Sequence, residues 1–151
     1  MATPAREVVP DACGGCGGGR RLTVSDCFER GRARMRRAPL PVAGRAVAAA
    51  NGLSARFEIE VADGIVRALG FRATSCVTLV AYCEALAELV EGGRVAAAAG
   101  LQAAVLAELV RGVPAAKRDR APLAVAALRA ALAAADSGLP ALHPQPRGAT
   151  P

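Results

Sequence analysis

Residues 55–61 alternate without a break: Ala55, Phe57, Ile59 and Val61 stand between Arg56, Glu58 and Glu60. A period of two places successive side chains on opposite faces of a strand, so this pattern predicts one buried face and one charged face. Asp63-Gly64 follows, a dipeptide suited to a tight hairpin turn. The return strand is expected from Ile65 to about Ala73, and its apolar residues Val66, Leu69 and Phe71 change parity between 66 and 69, as a β-bulge would make them. After Thr74-Ser75 the period becomes 3.6. Cys76, Leu79, Val80, Cys83, Leu86, Ala87 and Val90 form one helical stripe that Glu91-Gly92-Gly93 ends.

Further helices flank this centre. One is expected from Thr23, with Ser25 as its cap, Glu29 in its first turn and Pro39 and Pro41 stopping it. A second covers roughly Val95 to Val110. A third begins near Asp119, which can cap it, with Pro122 in the first turn and Ser137-Gly138 at its end. The order helix, hairpin, three helices predicts an α+β fold, a small antiparallel hairpin or sheet with helices packed on one face. The expected organisation is a flexible glycine-rich segment over 1–20, one domain over 21–138, and a disordered proline-rich tail over 139–151.

Composition narrows the function classes. The chain is 53% hydrophobic but only 3% aromatic, so it has a small-residue helical core and too few rings for a base-stacking surface. Its net charge is +6, carried by arginine with Lys117 the only lysine. Arg20, Arg21, Arg30, Arg32, Arg34, Arg36 and Arg37 cluster near the first helix and read as a solvated basic segment; the other reading is a patch for nucleic acid or an acidic partner. The longest apolar runs hold charges and fall short of a membrane span, and no signal core is seen, so the cytoplasm is the expected location. Five cysteines in that setting favour reduced thiols.

The stretch VADGIVRALGFRATSC (61–76) has the spacing of a strand, a glycine turn and a return strand that delivers a cysteine to a helix start. In this it resembles the iron–sulfur cluster scaffold family of IscU, SufU and the NifU N-terminal domain. AELVEG (87–92), LVRGV (109–113) and RAPLAVAAL (120–128) resemble later family motifs in the same order, so the likeness runs over about 51–134 and is faint in the first fifty residues. The resemblance implies an IscU-like fold and a role in cluster assembly. It implies as partners a cysteine desulfurase, apo-protein acceptors or a chaperone, and a second copy of the chain. Neither a membrane nor nucleic acid is expected, and no enzymatic apparatus is visible.

Family members hold iron, zinc or a cluster with three cysteines and a nearby aspartate. Position by position, the first cysteine falls here on Asn51, the aspartate on Leu53 and the last cysteine on Arg120, none of which is expected to ligate. Only Cys76 remains. At a helix start its thiolate is favoured by free N–H groups and the helix dipole, and Arg120 would add positive charge if the last helix packs as in the family. The expected function is therefore a scaffold-like protein that accepts sulfur, holds a [2Fe–2S] cluster or iron through Cys76 with ligands from a second chain, glutathione or a partner, or does both. The alternative is a docking or regulatory module that has lost metal binding. A plain structural cysteine at the helix start is the competing reading of Cys76 itself. Cys83 reads as core, Cys13 and Cys16 as a C-x-x-C in low-complexity sequence with Cys27 as a conceivable third thiolate, and His143 as a tail residue without a ligand role.

Overall fold

The alternating stretch forms a nine-residue strand because its inward residues find an apolar cover. The computed structural model describes residues 22–137; the glycine-rich segment with Cys13 and Cys16, and the tail with His143, lie outside them. Helix α1 spans Val24–Met35, and two short strands follow, β1 (Val42–Ala43) and β2 (Val47–Ala48). The long hairpin is β3 (Ser54–Ala62) and β4 (Ile65–Ala73). Helices α2 (Val77–Val90), α3 (Val95–Ala99), α4 (Ala103–Leu109) and α5 (Arg120–Asp136) complete the order, with a 3₁₀ turn at Ala115–Lys117. The fold is α+β: β1 and β2 both pair antiparallel with one edge of β3, β4 pairs with the other, and helices pack against the sheet. Among the described residues no helix is long and apolar enough to cross a membrane.

Asp63 and Gly64 both take positive φ, 55° and 74°, the backbone of a two-residue hairpin turn that matches strand twist. The parity change in β4 is a bulge. Glu60 pairs with Ala68 but Val61 pairs with Val66, leaving Arg67 unpaired. Phe57 and Phe71 face each other across the ladder with ring centroids 5.7 Å apart. Both are fully buried, and such burial contributes about 1.5–3 kcal/mol per side chain.

Local expectations fail in four places, each for a tertiary or local chemical reason. Thr23, not Ser25, caps α1: its Oγ1 accepts from the Asp26 N–H at 3.1 Å. The helix expected over Val95 to Val110 is two, because Gly100, Leu101 and Gln102 interrupt it. Asp119 makes no side-chain cap to α5; its carboxylate takes a hydrogen bond from Arg120 instead. Nor is the charged face of β3 exposed throughout. Glu58 is 2% exposed, accepting from the Leu40 N–H and from Arg56 Nη2.

The arginines of α1 are also not uniformly solvated. Arg34 is buried and bonded to Glu84, Glu91 and the Leu69 carbonyl, while Arg30 pairs with Glu88. α2 is therefore enclosed on nearly every side, by α1, α5, α4 and β4, rather than along one stripe. Glycine sets two of the approaches. A Cβ on Gly31 would sit 2.7 Å from Val80 Cγ1, and one on Gly44 would sit 2.5 Å from the Ala131 backbone nitrogen. These contacts bring α1 onto α2 and the β1 end onto α5.

Candidate functional site

β4 ends where α2 begins, and Cys76 is the joint. Its backbone is extended (φ −132°, ψ 121°), its N–H donates to the Thr74 carbonyl at 2.7 Å, and its own carbonyl accepts the first α2 bond, from Val80. Cys76 is the N-cap of α2 and is half-buried rather than sealed in. Three influences set its acidity. Burial opposes the thiolate, but the Leu79 and Thr78 N–H groups and the Arg120 guanidinium favour it, and together they hold the thiol below its ordinary value.

Arg120 opens α5, and the packing of α5 against α2 carries it to Cys76. Its Nη1 donates to Asp119 Oδ1 at 2.5 Å. Its Nε is buried with no hydrogen-bond partner among the described residues. The Tyr82 hydroxyl is likewise buried and unpartnered there, and the charges of Arg118 and Asp119 act on it. No spacing signal marks Tyr82 as part of this neighbourhood, since its position suits core packing equally well.

The remaining family ligand positions lie on the loop entering β3. Ser54 and Thr74 close the ladder, with the Ser54 N–H donating to Thr74 Oγ1 at 2.8 Å, so this loop and Cys76 share one end of the sheet. Asn51 is exposed and its Oδ1 accepts from the Leu53 N–H at 3.1 Å, bending the chain through Gly52 at φ 87°. Leu53 packs on the core. Thus the family ligand positions carry a thiol, an amide, an alkyl group and a guanidinium, of which Cys76 and Arg120 are brought together. This set does not fit a metal ion or cluster held by one chain, which needs several thiolate, imidazole or carboxylate donors. Among the described residues no three His, Cys, Asp or Glu side chains converge as such donors.

The other described cysteines are closed off. Cys83 is fully buried and its thiol is pushed far up by burial. Cys27 is also fully buried; burial first, with Glu88 and Glu84 nearby, pushes its thiol to about 11 despite Arg30. Cys27 therefore offers no accessible third thiolate.

A model of the NifU-like N-terminal domain matches residues 23–137. The chain belongs to that family. The match begins with α1, which motif likeness over 51–134 had left out, and it places the chain in a family of iron–sulfur cluster assembly scaffolds. NifU-like scaffolds generally work with a cysteine desulfurase. No protein with curated annotation matches the chain. One solved structure, described as the crystal structure of a hypothetical protein at 2.3 Å resolution, is 15% identical and covers 73% of this chain and 92% of its own, with a TM-score of 0.40.

Proposed function

We propose that this NifU-like protein accepts sulfur on Cys76 during iron–sulfur cluster assembly. The observation that supports the reading is Cys76 at the start of α2 with its thiol lowered by the Leu79 and Thr78 N–H groups and by Arg120. A thiolate held this way attacks the outer sulfur of a persulfide on a cysteine desulfurase. The donor's S–S bond breaks, its electron pair leaves with the donor thiolate, and a new S–S bond forms on Cys76. No net oxidation occurs; once the new Cys76–S–SH gives its terminal proton to the departing donor thiolate or to water, the persulfide anion is stabilised by the same N–H groups and Arg120. The protein is a carrier in this scheme rather than an enzyme, because the product is a modified Cys76 that an apo-protein or assembly partner must discharge. A reducing compartment such as the cytoplasm suits such a thiol.

A [2Fe–2S] cluster on Cys76 would require its other thiolates from outside this site: from a second copy, glutathione or a partner. Arg120 works against that arrangement by placing a fixed cation where family members have a ligand. The loss of ligands at Asn51, Leu53 and Arg120 favours one second reading, a docking or regulatory module of the assembly machinery that carries neither sulfur nor metal.

Incubation with a cysteine desulfurase and cysteine, followed by peptide mass mapping, distinguishes the two. The expected result is one added sulfur on Cys76 in the wild type and none there in Cys76→Ser. An unmodified Cys76 under conditions where the desulfurase itself carries persulfide would leave only the docking reading.

A further inference from the structure

On the outer face of the hairpin, Arg56 and Arg72 are direct cross-strand partners. Two like charges in that position repel, and strand pairs normally avoid them. The fold offers limited compensation. Arg56 Nη2 donates to Glu58 Oε2 at 3.1 Å, but that carboxylate is itself 3% exposed and already accepts from the Leu40 N–H through its other oxygen. Arg72 donates only to backbone carbonyls, to Phe71 at 2.9 Å and to Arg37 at 3.1 Å, and meets no carboxylate among the described residues. The two arginines line an open cleft of about 450 Å³ with Ser54, Thr74 and Ala46. Ser54 and Thr74, whose hydroxyls lie 3.3 Å apart, also line it. The Arg72–Arg37 bond ties the rim to the turn after α1, where Arg36 and Arg37 are exposed.

We propose that this cleft docks an acidic segment of a partner protein, its carboxylates seated between Arg56 and Arg72. Two guanidiniums side by side present forked donors matched to carboxylates, and a bound carboxylate relieves the repulsion that the bare strand pair carries. The cleft is open, which suits an extended polypeptide. It also lacks aromatic side chains, so nothing there would stack a nucleic-acid base. Thr74 lines the cleft, and its carbonyl accepts the Cys76 N–H, so the cleft and Cys76 share one short stretch of chain. The inference rests on the arginine pair and stands whether or not Cys76 accepts sulfur.

The test is fluorescence anisotropy on the full chain with a fluorescein-labelled octaglutamate peptide, and in parallel with an oligothymidylate of equal charge. Arg72→Gln and Arg56→Gln are the variants, the latter keeping an N–H donor for Glu58; Arg67→Ala on the same strand is the charge control, and circular dichroism checks folding. Each Gln variant should bind the peptide about fivefold more weakly, the order expected for loss of one partly exposed charge-assisted contact. Arg67→Ala and Cys76→Ser should match the wild type. Equal peptide affinity in all variants, or a loss in Cys76→Ser as large as in Arg72→Gln, overturns the proposal. Tighter binding of the oligothymidylate with the same dependence on Arg56 and Arg72 overturns it in favour of nucleic acid.

Discussion

Arg34 holds Glu84 at two points inside the α1–α2 interface, Nε to Oε1 at 2.7 Å and Nη2 to Oε2 at 3.1 Å. Its Nη1 also reaches Glu91 Oε2 and the Leu69 carbonyl, and Glu91 Oε2 accepts the Leu69 N–H. One guanidinium thus joins α1, α2 and the middle of β4.

Replacing Arg34 by Met removes the cation and leaves the Glu84 carboxylate buried against Glu88. Arg34→Met is expected to lower unfolding free energy by about 3–5 kcal/mol, the cost of stranding one member of a buried pair. Replacing Glu84 as well, in Arg34→Met with Glu84→Leu, should recover much of that loss. Urea denaturation checks both; a single-variant loss under about 1 kcal/mol would place the pair with ordinary surface ion pairs.

The same cluster makes stability depend on pH. Burial first, then hydrogen bonding with Glu88, raises Glu84 from its ordinary 4.5 to about 7 against the opposing pull of Arg34. Arg34 and Glu88 face Glu84 directly, and Cys27 and Glu91 lie beside this cluster. Between those pH values the folded protein binds more protons than the unfolded chain, so this contribution is complete below 4.5 and is lost as pH rises through about 7. Thermal melts across that window should show the decline, and Glu84→Gln should flatten it. An unchanged slope in Glu84→Gln would rule out this origin.

Thiol reactivity should sort the described cysteines. Iodoacetamide is expected to label Cys76 in the native protein at a pH below that of an ordinary cysteine, while Cys27 and Cys83 stay protected until urea unfolds the chain. Arg120→Ala removes one of the groups favouring the thiolate, so its labelling profile should move to higher pH and slow several-fold near neutrality. Peptide mapping of alkylation rates against pH provides the measurement. Identical profiles for Cys76 in the wild type and Arg120→Ala would separate Arg120 from the thiol.

Much of the frame was legible along the chain. Strict alternation from Ala55 to Val61, the Asp63-Gly64 turn, the parity change before Leu69 and the switch of period at Cys76 are local signals, and each corresponds to an element of the fold. Local ambiguity accounts for two of the misses. Thr23 and Ser25 are both good caps, and only the chain direction set by the Leu22–Arg111 and Val24–Arg111 backbone bonds distinguishes them. Within 95–110 the alanine-rich pattern contains no strong stop apart from Gly100.

The sequence by itself determined the hairpin, the long helices and the cysteine placed between strand and helix, because backbone preferences and hydrophobic period act over neighbouring residues. The tertiary structure decided the partners of the charges. Arg30 and Arg34 read as a basic run, and only the packing of α1 on α2 turned them toward Glu88, Glu84 and Glu91. Glu58 reads as part of a charged face, and only the Leu40 segment and Arg56 made it a buried acceptor. Cys76 and Arg120 lie forty-four positions apart, and only α5 against α2 sets cation beside thiol. Charge interactions depend on distance and burial, and neither is a property of a residue's place along the chain.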